Sequence, residues 1–392
     1  MKIAVVGAGI SGIMAAYYLV KAGHEVTVVD QERYAAMRTS YANGSQVSVS
    51  NSEVWNTWGN VRKGIKWMFR KDAPLLIRPT FEWAKIKWLS KFMYHTVRGD
   101  YAANTAETIR LGLLSRTLYQ QVIDEEGIEN FDQAECGILH FYKDQKYFNA
   151  AIQAKELYES NGCEWTILDS KKVKDTEPAI DSTEILGGAW TAGDWVGDIH
   201  KFCYLLANVL KNKYGVKFCY NTELIELQEL TSDFDAIVVS AGIGSIELAE
   251  SIGDTLPIYP VKGYSITIND VDPALLPQTS LLDDQTKIVA SPLGNRLRVA
   301  GTAELTGENY DIRRDRIEPL LNWVHVNFPQ IDTRNYQSWS CLRPMTPNMM
   351  PIVKQSQRDP RVFYHTGHGH LGWTVSPATA KQLTQLIETA II

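Results

Sequence analysis

The sequence predicts a two-domain chain of α/β plus α+β class: one domain built on a parallel, doubly wound sheet and a discontinuous second domain built on an antiparallel sheet. Three observations lead there: an apolar strand running into a glycine-rich turn at the start, a second apolar strand ending in small residues far downstream, and a block of alternating residues after Pro257. Lys2 to Val6 reads as a buried strand, followed by Gly7-x-Gly9-x-x-Gly12 and a helix from Ile13 to Lys21. Gly7 permits the tight turn, Gly9 lets the backbone approach phosphates and Gly12 lets helix pack on strand. A dinucleotide pyrophosphate is therefore expected at the helix N-terminus, beside Ile10 and Ser11. The next strand, Glu25 to Val29, ends at Asp30-Gln31. A carboxylate there accepts ribose hydroxyls and repels a 2′-phosphate, which disfavours NADP. The start of the chain is thus Rossmann-like.

Beyond Gln31 the βαβ pattern is interrupted. Arg38 to Ser50 is polar and turn-rich, and Val61 to Arg98 is basic and aromatic. Helices are expected over Thr105–Ile123 and Gln145–Ser160, with a strand over Gly137–Tyr142 between them. Gly187 to Trp195 reads as strand and turn, Ile199 to Tyr214 as an amphipathic helix, and Val216 to Tyr220 as a strand. Asp235 to Ser240 is a further strand, closing on Ser240-Ala241-Gly242 much as the first closes on its glycines. Both loops are expected to meet one ligand at the carboxyl ends of their strands. Alternation in Tyr264–Ile268 and Arg296–Ala300 marks antiparallel strands of a substrate domain. A strand over Val362–Thr366, a glycine-rich loop at His368–Gly372 and a helix over Ser376–Ile391 end the chain.

Bulk composition narrows the class. The 392 residues are 45% hydrophobic and 21% charged, enough for two cores. The net charge of −6 argues against a nucleic-acid partner, which calls for a basic field. Cys136, Cys163, Cys203, Cys219 and Cys341 are odd in number and lack CxxC spacing, so neither a disulfide framework nor a metal site is expected. With no leader and no apolar run of about eighteen residues, a cytoplasmic location is expected.

The C-terminal loop completes the cofactor site. Gly367, Gly369 and Gly372 let backbone approach a flat ring, and the following helix presents N–H groups and a positive dipole end. That device suits a ring that becomes anionic on reduction, as flavin does, better than nicotinamide, which loses its positive charge. His368 and His370 are either ring neighbours or ordinary turn residues. The cofactor expected is FAD. Its Rossmann-like domain is expected over 1–50, 99–128, 200–250 and 335–392, and the substrate domain over 51–98, 129–199 and 251–334.

Motifs spread over nearly the whole chain resemble the bacterial FAD-dependent D-amino-acid dehydrogenases, within the D-amino-acid oxidase and glycine oxidase superfamily. They are the GAGISG turn with Asp30, Thr39-Ser40-Tyr41-Ala42-Asn43, Lys63-Gly64-Ile65-Lys66-Trp67-Met68-Phe69, Pro260-Val261-Lys262-Gly263-Tyr264-Ser265, Leu342-Arg343-Pro344-Met345-Thr346-Pro347 and Thr366-Gly367-His368-Gly369-His370-Leu371-Gly372-Trp373-Thr374. Two departures stand out: Asn43-Gly44-Ser45-Gln46 occupies the place of Asn-Ala-Gly-Gln, and the chain is shorter than typical members. The resemblance implies that Ser40, Asn43, Gly44 and Gln46 contact FAD, together with Ala241, Gly242 and the Gly367–Gly372 loop including Leu371. It also implies oxidative deamination of a D-amino acid through an imine to a 2-oxo acid and ammonia, with hydride passing from Cα to flavin N5 and electrons leaving to a quinone-type acceptor.

Such chemistry needs the substrate carboxylate anchored. Arg343 is the candidate, because a guanidinium fork meets a carboxylate bidentately and Pro344 stiffens its backbone; the resemblance assigns it that role. Clamping the substrate supplies much of the rate, so no dedicated base is required. Tyr264 either bonds substrate or sits in the core, and His368 is expected beside the flavin edge. Cys341 precedes Thr346-Pro347 as the flavin-bearing cysteine does in sarcosine-oxidase-like relatives; non-covalent FAD is the expectation retained. Between Val61 and Arg98, ten lysines and arginines face two acids, Asp72 and Glu82, among many aromatics. That composition suits peripheral contact with anionic lipid, or an amphipathic helix pair with its aromatics packed inward. Rival readings are an FAD oxidase or dehydrogenase of glycine, sarcosine or a cyclic secondary amino acid such as proline or hydroxyproline, a flavin-binding protein without turnover, and a nicotinamide enzyme.

Overall fold

In the computed structural model the described residues are 1–67, 75–77, 81–181 and 183–390. Met68 and Phe69 of the basic motif, the charges Arg70, Lys71, Asp72 and Arg78, and the expected last helical residue Ile391 lie outside them.

The opening strand Lys2–Val6 sits at the middle of a six-stranded sheet. It is flanked in parallel by Glu25–Val29 and by Ala236–Val239, with Val5 opposite both Val28 and Val238. Lys217–Cys219 and Val362–Thr366 extend the parallel run, and Ile352–Gln355 closes one edge antiparallel. These strands are apolar on both faces because both faces are covered. Ile3, Val5, Val26, Val28 and Val238 pack with the helices Ile10–Lys21, Ile199–Tyr214 and Gly372–Ala390. The alternate residues Ala4, Val6, Ile237 and Val239 pack with Leu227, Leu230, Leu248 and Leu256.

A second sheet of nine strands is mostly antiparallel and is organised around three ten-residue strands, Tyr259–Ile268, Arg296–Leu305 and Tyr336–Met345. Two of its pairings, Ser280–Asp283 with Ile138–Tyr142 and Arg296–Leu305 with Leu75–Ile77, are parallel. Tyr336–Met345 pairs along its whole length with Tyr259–Ile268, so this strand of the 335–392 segment hydrogen-bonds into the antiparallel sheet. The helix Arg314–Asn327 packs Ile317, Leu320 and Val324 against Ile266, Ile268, Leu297 and Val299. Sequence pattern gave no sign of that helix, whose interior carries Pro319.

The closing helix starts at Gly372, four residues before the expected Ser376, with Pro377 inside it. Proline cannot donate to the carbonyl four residues back, which belongs to Trp373. That carbonyl instead accepts the buried Tyr119 hydroxyl at 2.6 Å. A tertiary contact from the helix Tyr101–Glu126 thereby lets the helix reach back to the glycine loop. Tyr119→Phe should leave the Trp373 carbonyl short of its donor and lower stability by about 1–2 kcal/mol. Urea denaturation reads this directly, and an unchanged midpoint would contradict it.

Candidate functional site

The glycines at the first turn are dictated by contact as well as by conformation. Gly7 has φ +104°, and a Cβ there would lie 2.5 Å from the Ser240 carbonyl oxygen. A Cβ on Gly12 would lie 1.8 Å from the Gly7 carbonyl oxygen, whereas one on Gly9 would meet nothing nearer than Ser40 Oγ at 3.4 Å. Gly9 therefore presents bare backbone to the space in front of the helix Ile10–Lys21, where the positive end of the helix dipole favours an anion. Ser40 Oγ accepts the Ile10 N–H at 3.1 Å and fixes the polar loop against this turn. Asp30 Oδ2 accepts the Ala8 N–H at 2.5 Å and Oδ1 the Glu32 N–H at 2.7 Å. Burial raises the Asp30 carboxyl, and these two N–H groups offset part of that.

In front of this turn opens one cavity of about 1370 Å³, walled by both sheets. It gathers Gly7, Gly9, Ile10, Ser11, Asp30, Gln31, Ser40, Asn43, Gly44, Gln46, Ala241, Gly242, Gly367, His368, Gly369, His370, Leu371 and Gly372, with Tyr264 and Arg343. Gly12 alone of the expected cofactor residues is absent from the wall, since it lies beneath the turn. Among the described residues the buried hydroxyls of Ser45, Ser240 and Thr302 on this wall have no hydrogen-bond partner. Buried polar groups left unpaired in the wall of a large hollow, beside a glycine cradle, fit a polar dinucleotide such as FAD.

Several of these residues also have partners within the protein. His368 is buried and both ring nitrogens are engaged, Nδ1 with Ser11 Oγ at 3.2 Å and Nε2 with Thr379 Oγ1 at 3.0 Å. Burial lowers its pKa to about 3, and its two hydrogen bonds tie the first helix to the last. Tyr264, on the cavity wall, donates its hydroxyl to Glu304 at 3.1 Å and packs in the core with Ile317 and Leu320. Glu304 is itself bound by Arg316 at 2.9 Å. Asn43 Oδ1 accepts the Ser45 N–H, and the Gln46 amide donates to Ser280 Oγ at 2.8 Å, so these groups brace the loop. His370 stacks on Trp55 with centroids 5.1 Å apart; burial lowers its pKa to about 4.

Arg343 lies on the cavity wall. Its guanidinium lies flat against Gly263, where a Cβ would come within 2.4 Å, and Nη1 donates to the Thr302 carbonyl at 3.1 Å. Among the described residues no carboxylate pairs with it. The strand carrying it is fastened to the glycine loop: Gly369 N–H donates to the Pro344 carbonyl at 3.1 Å, and Met345 bridges His368. Cys341, next to this strand's arginine, is buried on the cavity wall, and burial raises its thiol pKa. The sequence reading missed Glu53, Tyr101, His140, Asp284 and Lys287, which also line the cavity. They come from separate segments and share no spacing that would have marked them.

Comparison with known proteins agrees with this arrangement. The profile of the family described as FAD dependent oxidoreductase (DAO) matches residues 2–386. The chain is 46% identical to D-amino acid dehydrogenase 3 of Mesorhizobium japonicum, over 99% of this chain and 97% of that one. It is 36% identical to a D-amino acid dehydrogenase of Dechloromonas aromatica, again over 99% and 97%. Among solved structures it resembles glycine oxidase from Geobacillus kaustophilus, with a TM-score of 0.75, 19% identity and coverage of 99% of this chain and 94% of that one. L-proline dehydrogenase from P. horikoshii gives a TM-score of 0.72 at 15% identity, covering 99% and 93%.

The unusual loop carries a stability consequence. Ser45, standing where the resemblance places glycine, has φ +61° and a buried, unpartnered hydroxyl. A Cβ on Gly44 before it would meet the Val289 side chain at 2.8 Å. Ser45→Gly should relieve the left-handed strain and raise stability by up to about 1 kcal/mol. A lower urea midpoint in the variant would refute this.

Proposed function

Because this chain belongs to the FAD-dependent oxidoreductase (DAO) family, we propose that it is an FAD-dependent dehydrogenase of D-amino acids, with FAD held non-covalently along the glycine cradle. When bound, FAD supplies the two-electron acceptor for the hydrogen on the substrate Cα. The parallel sheet and its helices form the nucleotide half, and the antiparallel sheet forms the substrate half. Gly7, Gly9 and the Ile10–Ser11 N-terminus hold the pyrophosphate, Asp30 the ribose, and the loops at Ala241–Gly242 and Gly367–Gly372 the remainder. The single observation that carries the reading is Arg343, a guanidinium without a carboxylate partner among the described residues, placed in the cavity wall and tied by backbone to the glycine loop. A bidentate grip on the α-carboxylate fixes the Cα–H direction and excludes water from the bound acid. The product imine then hydrolyses to the 2-oxo acid and ammonia.

Electrons leave to a quinone-type acceptor in this reading, and the basic aromatic segment brings the protein to it. No helix among the described residues is long and apolar enough to cross a membrane. Trp88, Leu89 and Phe92 pack inward, and Trp88 Nε1 donates to the Met345 carbonyl at 2.7 Å. Around them Trp58, Ile65, Phe81, Trp83, Tyr94 and Val97 are exposed, Phe81 at 79%, beside exposed Lys66, Lys87, Lys91 and Arg98. Apolar rings among cations support a cytoplasmic protein resting peripherally on an anionic lipid face.

Anaerobic mixing with D-amino acids, L-amino acids, glycine, sarcosine and proline tests the chemistry. Only the D-series should bleach the flavin, with a dye rather than oxygen accepting the electrons. Arg343→Ala should lower kcat/KM about 100-fold, mostly through KM, and Arg343→Lys should recover part of it. Bleaching by the L-series, or an Arg343→Ala variant with wild-type turnover, would defeat the assignment. For the membrane contact, flotation with anionic vesicles should carry the protein upward at low salt and release it at high salt. Protein that stays at the bottom of the gradient under both conditions would end that part of the reading.

A further inference from the structure

A chain of hydrogen bonds in the cavity wall is left unused by the reaction above. Asp284 Oδ2 lies 3.0 Å from His140 Nδ1, His140 Nε2 lies 3.0 Å from Ser50 Oγ, and Ser50 Oγ lies 3.2 Å from Ser48 Oγ. All four residues line the cavity. The Ser48 N–H donates to Thr374 Oγ1 at 3.2 Å, which fastens this end of the chain to the first turn of the closing helix, directly after the glycine loop. Asn51, on the same loop, and Arg343 both act on the His370 ring, so the serines and the carboxylate anchor border one chamber.

The direction of these bonds follows from the acid at their end. Burial works to raise the Asp284 carboxyl, but Lys287 at 2.8 Å and His140 outweigh it and hold it below the usual carboxylate range, so Asp284 accepts. His140 Nδ1 is then a donor, Nε2 accepts the Ser50 hydroxyl, and Ser50 Oγ accepts the Ser48 hydroxyl. Ser48 Oγ accepts the Asn51 N–H at 3.1 Å and keeps a lone pair for one more donor. Every hydrogen points towards Asp284, the polarity with which a wire takes in a proton at Ser48. Serine, imidazole and carboxylate stand in the order of a hydrolase triad, but Asp194 holds the N–H groups of Val49 and Ser50 at 2.9 Å, so this serine's own N–H is closed to an oxyanion. Around the chain the acids Glu53, Asp194 and Asp284 stand against Lys63, Arg116 and Lys287, with Tyr101, Tyr142, Tyr147 and Tyr158 among them. His140 is the imidazole with a carboxylate at hand to balance a proton.

We propose that Ser48, Ser50 and His140 take up the proton that the substrate ammonium must lose before hydride leaves Cα, with Asp284 balancing the charge this places on His140. The proposal rests on the D-amino-acid reading above. An ammonium has no lone pair to share with a carbon losing hydride, whereas a neutral amine stabilises the cation as it forms. One N–H proton passes to Ser48 Oγ, the Ser48 hydrogen to Ser50 Oγ and the Ser50 hydrogen to His140 Nε2. The amine keeps the electron pair of the broken N–H bond, and the imidazolium stays bonded to Asp284. Once hydride has gone to the bound FAD, that pair closes the C=N bond of the imine. Ser48 meets the substrate, and Ser50 and His140 act through it.

The pH profile of anaerobic flavin reduction, taken on the holoenzyme with the D-amino acid that bleaches it fastest, tests this. His140→Gln, whose amide cannot take up a proton, and Ser50→Ala, which cuts the wire while leaving the imidazole, should each slow reduction at neutral pH about 100-fold. Above about pH 10, where the substrate amine is neutral without help, both should recover to within about threefold of wild type. A loss of the same factor at every pH marks a merely structural role and overturns the proposal, as does a neutral-pH rate that neither substitution lowers. The wild-type enzyme gives a check that needs no variant: D2O should slow reduction at neutral pH about twofold or more and have a smaller effect at alkaline pH. Equal rates in H2O and D2O at neutral pH overturn the proposal while leaving D-amino-acid oxidation intact. A wild-type flavin that no D-amino acid reduces overturns the reading beneath it, and the proposal with it.

Discussion

One short stretch of backbone holds the two halves of this protein in a working relation. The nucleotide cradle belongs to the parallel sheet and Arg343 to the antiparallel one, and the hydrogen bond from Gly369 N–H to the Pro344 carbonyl joins them. Gly367 and Gly369 both have positive φ. A Cβ on either would come within 2.8 Å of Thr346 or Met345, so the loop lies directly on the arginine's strand. Side chains reorient easily, whereas backbone pinned between two sheets does not. The position of Arg343 relative to the glycine turns of the parallel sheet therefore follows from main-chain geometry.

Around that joint, polar groups are spent on construction. Thr379 Oγ1 meets His368 Nε2 at 3.0 Å and His365 Nε2 at 2.9 Å, while Ser11 reaches His368 from the first helix. Burial keeps both histidines neutral by lowering their pKa values. Protonating either ring would place an unpaired charge inside the cofactor wall. An imidazole in such a setting fastens helices to one another.

The basic aromatic segment divides in the same way. Trp88 is buried and holds the Met345 carbonyl, so the segment anchors itself beside the site. Trp83, five residues earlier, is 64% exposed. A helix with one face committed to the core leaves its other face to choose a partner, and here that face carries rings and lysines together.

Sequence alone determined the parallel sheet, its glycine turn and the C-terminal glycine loop, because those features are written in adjacent residues: apolar runs, glycines at fixed offsets and an acid at the end of the second strand. It also picked out Arg343 through its neighbour Pro344. Tertiary structure decided the rest. Nothing in the sequence shows which partners Tyr264 and His368 hold; Glu304, Ser11 and Thr379 are brought to them from distant segments. The closing helix reads as starting at Ser376, just before Pro377, until Tyr119 supplies the donor that proline lacks. Glu53 sits in a stretch without periodicity, and only the fold brings it into one cavity with Lys63, Asp284 and Lys287. Local pattern encodes local conformation. The electrostatic state of a side chain belongs to the neighbours that folding assembles around it.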